Sequence, residues 1–379
     1  MINTNRLAKR FKMFAEIDSI SKKEGALAKV LADILKNIGA KVKFDKAHKI
    51  IGGNCGNLVA KFKGNTGDKP IFFSGHMDTV KPGKGVKVIF DNGVFKSNGT
   101  TILGADDKSA LAIIIEVMEV IFENNLDYPP IEIIFTICEE IGLLGAKHFD
   151  FSLIDSKMGY ILDSTDINGI ITKAPASNRF TIKIHGKDAH AGISPENGIN
   201  AILVAAKAIA SLNLGRIDHE TTCNLGIIKG GIATNIVPEL VIIEGEARSH
   251  NKDKLKKITN TIINAFHKTI DSFQKKNDNL PKIEVILEQE FSATNISDNH
   301  SIIKLVKKAC ENLGRQMESK SIEGGSDANI FFTKKIIAGV LGTGMTDVHT
   351  LRESIKLDDM EKTAKLLLEI IKTYIAGDF

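Results

Sequence analysis

The chain has 379 residues, 43% hydrophobic and 25% charged, the composition of an ordinary globular protein with enough apolar material for a sizeable core. That length suggests two domains or one large one. Fifty Lys and Arg against 46 Asp and Glu leave a formal net charge of +4, and three Tyr without a Trp give no stacking platform, so nucleic acid is not an expected partner.

The four cysteines, Cys55, Cys138, Cys223 and Cys310, form no CxxC pair, which excludes a Cys-rich zinc site and argues against a secreted disulfide scaffold. The opening MINTNRLAKRFKMF lacks the apolar core of a signal peptide. The greasiest run, Ser109 to Phe122, carries Glu116 and Glu119 and is too short to span a bilayer. The expectation is a cytoplasmic protein that makes no use of a membrane.

In chain order, apolar positions at helical spacing predict helices over about Asn3–Ile17 and Lys22–Ile38. Lys41–Phe44, Asn57–Phe62 and Ile71–Ser74 read as strands bounded by Gly, Asn and Pro. Lys108–Asn124 reads as a buried helix, and Pro129-Pro130 introduces Ile131–Ile137, an apolar run that suits a central strand covered on both faces. A short strand, Gly159–Leu162, ends at Asp163. The middle of the chain has a different pattern, with strand Phe180–His185, helix Gly198–Leu212, strands Thr222–Ile228 and Leu240–Arg248, helix Lys252–Lys275 and strand Ile283–Glu288. That β-α-β-β-α-β order is the ferredoxin-like pattern of a small self-contained domain. Helix Ser301–Leu313, a loop at Gly324-Gly325, strand Ile336–Val340 and helix Asp358–Ile375 then return to alternating α and β elements. The expected architecture is one discontinuous α/β domain, residues 1–176 and 289–379, with a second domain inserted at 177–288.

Acids and histidines concentrate where predicted strands end. Ser74-Gly-His76-Met-Asp78 follows one strand, Glu139-Glu140 another, Asp163 a third, and His349 lies just beyond the strand ending near Leu341, while Gly104-Ala-Asp106-Asp107-Lys108 sits just before the buried helix. In open α/β sheets ligands bind outside the carboxyl ends of the strands. Two imidazoles with three carboxylates suit zinc, manganese or cobalt, and are too many for one tetrahedral ion that keeps a water. They suit two ions sharing a carboxylate, with a further carboxylate as general base, and Glu139 and Glu140 together supply one of each. Residues i and i+2 of an extended segment point the same way, so Asp78 is placed to fix the His76 tautomer.

Taken in this order, Gly75-His-Met-Asp-Thr-Val80, Gly104-Ala-Asp-Asp-Lys108, Glu139-Glu-Ile-Gly142, Asp163 and His349 resemble the M20 clan of dinuclear zinc peptidases, most of all its peptidase T-like (tripeptide aminopeptidase-like) branch. The resemblance runs nearly the full length. It implies a zinc-exopeptidase-type α/β catalytic domain, with a mixed central sheet flanked by helices, and an inserted ferredoxin-like α+β lid that serves as a homodimerisation domain. It also implies two divalent ions, zinc first: His76 and Asp163 on one, Glu140 and His349 on the other, Asp106 bridging. Asp78 would orient His76 and Glu139 would be the general base. Gly186-Lys-Asp-Ala-His190-Ala-Gly192 is similar to the lid segment whose histidine reaches the scissile carbonyl, which gives His190 an oxyanion role. Asn235 and Arg248 resemble elements that contact the substrate carboxylate, and Gly325 a glycine loop lining the substrate pocket.

One departure qualifies the substrate. In the best-known tripeptide aminopeptidases an arginine precedes that Gly-Gly, and Glu323 stands there in this chain. An acid would repel a peptide carboxylate, so the alternative to tripeptide cleavage is another amide hydrolysis on the same metals: N-acyl-amino-acid deacylation, dipeptide cleavage or carboxypeptidase action. A catalytically silent scaffold would lack a ligand or the base, and none is lacking. A nucleotide enzyme is disfavoured because no GxxxxGK[ST] or GxGxxG follows a strand and opens a helix.

Overall fold

The computed structural model describes residues 1–273, 279–377 and 379. They form two compact units: Met1–Thr172 with Asn295–Ser321 and Ser326–Phe379, and Lys173–Thr294 with Ile322–Gly325. The fold is mixed α/β.

The first unit is built on a mixed sheet. In chain order its main strands are β1 (Lys41–Phe44), β2 (Leu58–Phe62), β3 (Ile71–His76), β4 (Ile131–Thr136), β5 (Met158–Ser164), β6 (Gly169–Ala174) and β7 (Ile337–Gly342). Side by side they lie β1-β2-β4-β3-β5-β7-β6. The central four, β4, β3, β5 and β7, are mutually parallel, and β2 and β6 flank them antiparallel. The parallel strands therefore end along one edge.

Every residue of β3 and β4 is buried, the polar Ser74, His76, Glu132 and Thr136 among them, so both faces of these largely apolar strands are covered. Successive side chains face opposite ways: Phe72 packs on Phe331 at a centroid distance of 5.3 Å, and Phe73 stacks on Tyr160 at 6.3 Å. The Tyr160 hydroxyl donates to the Ile302 carbonyl at 2.6 Å, which satisfies a phenol otherwise stranded in the core. Each such aromatic or aliphatic side chain contributes about 1.5–3 kcal/mol by leaving water.

The helices of this unit are α1 (Thr4–Ala15), α2 (Gly25–Ile38), α3 (Ala105–Glu123), α4 (Ser301–Asn312) and α5 (Leu357–Ala376). Helix α3 carries the greasy run and is buried along almost its whole length. Glu116 within it is 0% exposed and is held by Arg6 Nε at 2.6 Å and the Asn3 N–H at 2.9 Å, so this buried charge ties the helix to α1. The helix begins three residues before the predicted Lys108. Asp106 and Asp107 are in its first turn with non-helical angles, and the peptide between them is cis.

The second unit has one antiparallel sheet. Its long strands are Ala176–His185, Thr221–Gly230, Leu240–Ser249 and Lys282–Phe291, with helix Ala201–Ala210 after the first and Lys252–Phe273 after the third. Across the sheet they lie in the order fourth, first, third, second, with the unpredicted short strand Gly215–Asp218 beyond the second. Ile182, Ile184, Val241 and Ile243 point inward against Val204, Ile262 and Phe266 of the two helices. The helix expected from Gly198 starts at Ala201 because Asn200 caps it, accepting from the Leu203 N–H. The expected helix end at Lys275 lies outside the described residues. No helix among the described residues is long and apolar enough to cross a membrane.

Candidate metal centre

The carboxyl ends of β3, β4 and β5, the start of α3 and a hairpin after β7 each deliver part of one cluster. His76 is the last residue of β3, and its imidazole Nε2 lies 3.1 Å from Asp106 Oδ1 and 4.0 Å from Asp163 Oδ1. On the other side of Asp106, His349 Nε2 lies 3.1 Å from Oδ2 and 3.0 Å from Glu140 Oε1. One carboxylate thus faces two imidazoles with its two oxygens, and each imidazole has one further acid beside it. Ligand atoms of His76, Asp106 and Glu140 all lie within 4.8 Å of one another.

The backbone explains how short loops hold this. Gly75 precedes His76, and a Cβ there would stand 2.7 Å from Asp107 Oδ2 and 3.0 Å from the Ala110 methyl. Only glycine lets β3 pass so close to the start of α3. Asp107 in turn accepts the His76 N–H at 3.1 Å. Cys138, after β4, takes a left-handed φ of +53°, and its N–H and thiol both meet Glu24 Oε1, at 3.1 and 3.2 Å. That turn presents Glu139 and Glu140. Cys138 is buried as a packing residue.

Asp78 does more than the sequence implied. The nearest acceptor for His76 Nδ1 is the Asp78 main-chain carbonyl at 2.9 Å, with the carboxylate Oδ1 at 3.5 Å. The carboxylate takes the N–H groups of Glu139 at 2.9 Å and Glu140 at 3.3 Å and the Ser21 hydroxyl at 2.7 Å. A single buried acid therefore sits between the β3 end and the Glu139–Glu140 turn.

The electrostatics follow from crowded acids away from water. Burial and the nearby Asp163 carboxylate push the Glu139 carboxyl well above its usual range. Burial and Asp106 do the same to Asp163. Asp106 goes the other way: despite burial, hydrogen bonds to His349 and His76 hold it below the carboxylate range. His349, bonded to Asp106 and Glu140, is pushed up to about 10.

This donor set fits divalent cations. Five acids (Asp106, Asp107, Glu139, Glu140, Asp163) crowd two imidazoles, and the buried Asp107 Oδ1 accepts no hydrogen bond. Oxygen and imidazole donors without thiolate are the ligands of zinc, manganese or cobalt.

Four other predicted site residues belong to the second unit. His190 is exposed, and its Nδ1 accepts the N–H groups of Gly192 at 3.2 Å and Ile193 at 3.1 Å. Two backbone donors on Nδ1 leave the proton of the neutral ring on Nε2. Asn235 lies beside this segment, its carbonyl accepting the Ala191 N–H at 2.9 Å. Arg248 donates to Glu246 Oε2 at 3.0 Å and to the Glu323 carbonyl at 3.3 Å, and its Nε is buried without a partner. Gly325 is required by packing, since a Cβ would stand 2.4 Å from the Phe291 ring.

Sequence reasoning passed over three buried acids. Glu24 holds the Cys138 turn. Asp327 accepts the Thr136 hydroxyl at 2.6 Å and keeps Oδ1 unpartnered, and burial pushes its carboxyl up to about 6. Glu353 accepts three backbone N–H groups at the start of α3. Nothing in one sequence separates such acids from ordinary surface ones.

Similar sequences and folds are found in known proteins. The sequence profile of peptidase family M20/M25/M40 matches residues 72–373. The chain is 40% identical to the uncharacterized protein YqjE of Bacillus subtilis strain 168, over 98% of this chain and 99% of that one. Its fold is similar to the crystal structure of aminopeptidase PepT from Bacillus cereus ATCC 10987, with TM-score 0.88, 38% identity and 99% of each chain covered. It is similar also to a tripeptidase from Staphylococcus aureus subsp. aureus Mu50, with TM-score 0.92, 37% identity, and 99% and 100% covered.

Proposed function

The chain belongs to peptidase family M20/M25/M40, and from that premise we propose that it is a metal-dependent aminopeptidase releasing the N-terminal residue of tripeptides. The observation that carries the reading is Asp106, whose two carboxylate oxygens each lie 3.1 Å from a different imidazole, His76 and His349. In this reading His76 and Asp163 hold one divalent ion, Glu140 and His349 a second, and Asp106 is shared. Zinc is the first choice, with manganese or cobalt as alternatives. Such ions, when bound, polarise the scissile carbonyl and lower the pKa of water.

The chain's own residues do the rest. Glu139 takes the proton of the attacking water and returns it to the leaving amine. Asp78 holds the Glu139 and Glu140 N–H groups so that both carboxylates keep their aim. His190, protonated at Nε2, donates to the carbonyl oxygen as charge develops there. Arg248, Asn235 and the Gly325 loop belong in this reading to the peptide's carboxylate end. A homodimer through the second unit is part of the proposal. Beyond Cys223 the outer edge of strand Thr221–Gly230 has no strand partner among the described residues, and Ile227 and Ile228 are exposed on it. A cytoplasmic location completes it, in keeping with four cysteines without a CxxC pair.

The second reading is a different amide substrate on the same centre, favoured by the exposed Glu323 at the position of the family's arginine. Mass spectrometry of products from a pool of tripeptides, dipeptides and N-acetylated peptides decides between them. Free N-terminal residues from tripeptides alone support the aminopeptidase. Cleavage confined to acylated peptides or dipeptides replaces it with the second reading.

A further inference from the structure

Glu353 has no part in the proposed chemistry, and it is one of the most completely engaged acids in the molecule. It lies four residues after His349, in the hairpin closed by Met345–Thr346 and Ser354–Lys356. The tip of that hairpin is open to water: Asp347, His349, Leu351 and Arg352 are all exposed. Glu353 alone among its charged residues turns inward, to 1% exposure. A carboxylate so deprived of water needs strong compensation. It has it in three backbone donors: the Leu103 and Gly104 N–H groups on Oε2, both at 2.8 Å, and the Asp106 N–H on Oε1 at 3.0 Å.

Those donors are free for a local reason. They stand at the N-terminus of α3, where backbone N–H groups lack partners within the helix. The residue that should cap them is Gly104, which has a φ of +75° and no side chain to offer. Glu353 supplies the missing cap from 247 residues away in sequence, and its charge complements the helix dipole. The same bond fastens the loop that carries His349 to the residue that carries the shared carboxylate. His349 and Asp347 both sit at left-handed angles, φ +63° and +50°, in a hairpin tip whose own bonds are local: the Thr350 hydroxyl donates to the Asp347 carbonyl at 2.7 Å and the Glu353 N–H to the Thr350 carbonyl at 3.1 Å.

We infer that Glu353 is a positioning residue that sets the spacing between Asp106 and His349, so that the metal-binding geometry exists before any ion arrives. The inference rests on the proposed metal centre. It acts through main-chain atoms of the Asp106 turn, and Glu353 itself touches neither ion nor peptide.

The test is metal affinity of the metal-free full-length chain, measured by competition for zinc with a chromogenic chelator. Wild type is compared with Glu353→Gln, Glu353→Asp and Leu366→Ala, the last a truncation of a buried side chain in α5. An amide keeps one accepting oxygen and turns two N–H donors toward the others, and the shorter acid reaches fewer of them. Both Glu353 variants should bind at least one zinc about 10–100-fold more weakly, the range for groups that orient metal ligands. Saturating zinc should restore most of kcat, and Leu366→Ala should keep wild-type affinity at a lower urea midpoint. Unchanged zinc affinity in a folded Glu353 variant overturns the inference, as does an equal loss in Leu366→Ala. If Glu353→Gln does not fold, Glu353→Asp decides by the same readings. Wild type that takes up no divalent ion overturns the proposed function first and this inference with it.

Discussion

The Glu139 N–H donates to Asp78 Oδ1 at 2.9 Å, so the acid two residues beyond His76 holds the turn that carries the proposed base. Because Asp78 also takes the Glu140 N–H and the Ser21 hydroxyl, its loss should be felt at two functional residues at once. Asp78→Asn keeps the size and one acceptor but brings an N–H₂ against donors. It should lower kcat about 10–100-fold at saturating zinc, the range for loss of an orienting partner. Steady-state kinetics at several zinc concentrations check this, and an unaltered kcat would remove Asp78 from the machinery.

Glu139→Gln preserves volume and abolishes proton transfer. Turnover should fall by roughly a thousandfold or more, while metal content measured by elemental analysis stays at the wild-type value. Near-normal turnover would sink the assignment of Glu139 as base.

Gly75→Ala tests the close approach of β3 to α3. The new methyl would stand 2.7 Å from Asp107 Oδ2, which must then leave the His76 N–H. Stability to urea should drop by about 1–3 kcal/mol, as for other overpacked sites, and zinc affinity should drop with it. A variant with wild-type stability and affinity would mean that Asp107 has room to move.

Arg6→Ala should be among the costlier substitutions outside the candidate site. It leaves Glu116 buried in α3 without its main cation, a loss of about 3 kcal/mol for a broken buried pair. Replacing both members by apolar residues, Arg6→Met with Glu116→Leu, should recover much of it. Urea unfolding of the two single variants and the double variant measures the coupling.

The thiols should be slow. Burial pushes the Cys55 thiol up to about 12 and raises Cys138 as well. At pH 8 the thiolate fraction of Cys55 is then about one in ten thousand, against about a quarter for a free cysteine, and it grows about tenfold per pH unit. Iodoacetamide should alkylate Cys55 about a thousandfold more slowly in the folded chain than in the urea-unfolded chain. Rapid labelling of the half-buried Cys55 at pH 8 would contradict a thiol held so far up.

How much of this was legible differs by kind of feature. Strand β4 announced itself as an almost continuous apolar run, and β3 as a short strand bounded by Gly, Asn and Pro. The order of elements in the second unit was readable from alternation and helical spacing, and only the short Gly215–Asp218 strand escaped, being too brief to show a period. The start of α3 was misplaced by three residues. Its cap comes from Glu353, and a cap supplied across 247 residues leaves no local mark. The residues His76, Asp106, Glu140, Asp163 and His349 were nameable because their types and order are unusual together. Glu24, Asp78 and Glu353 do their work through backbone N–H groups, and which N–H an acid will meet is decided by the fold and not by its neighbours in sequence.

The parallel run of β4, β3, β5 and β7 has a consequence for how such a protein changes over generations. Glu139 and Glu140 lie beyond the last residue of β4, Thr136, so they take no place in its strand ladder. The turn that carries them can exchange residues without shifting the register of β3 on β4, whereas the loop that carries His349 is itself closed by a strand pair. Selection for a new amide substrate therefore meets little resistance from selection for a folded chain. One scaffold can be retuned many times while its interior stays as it is.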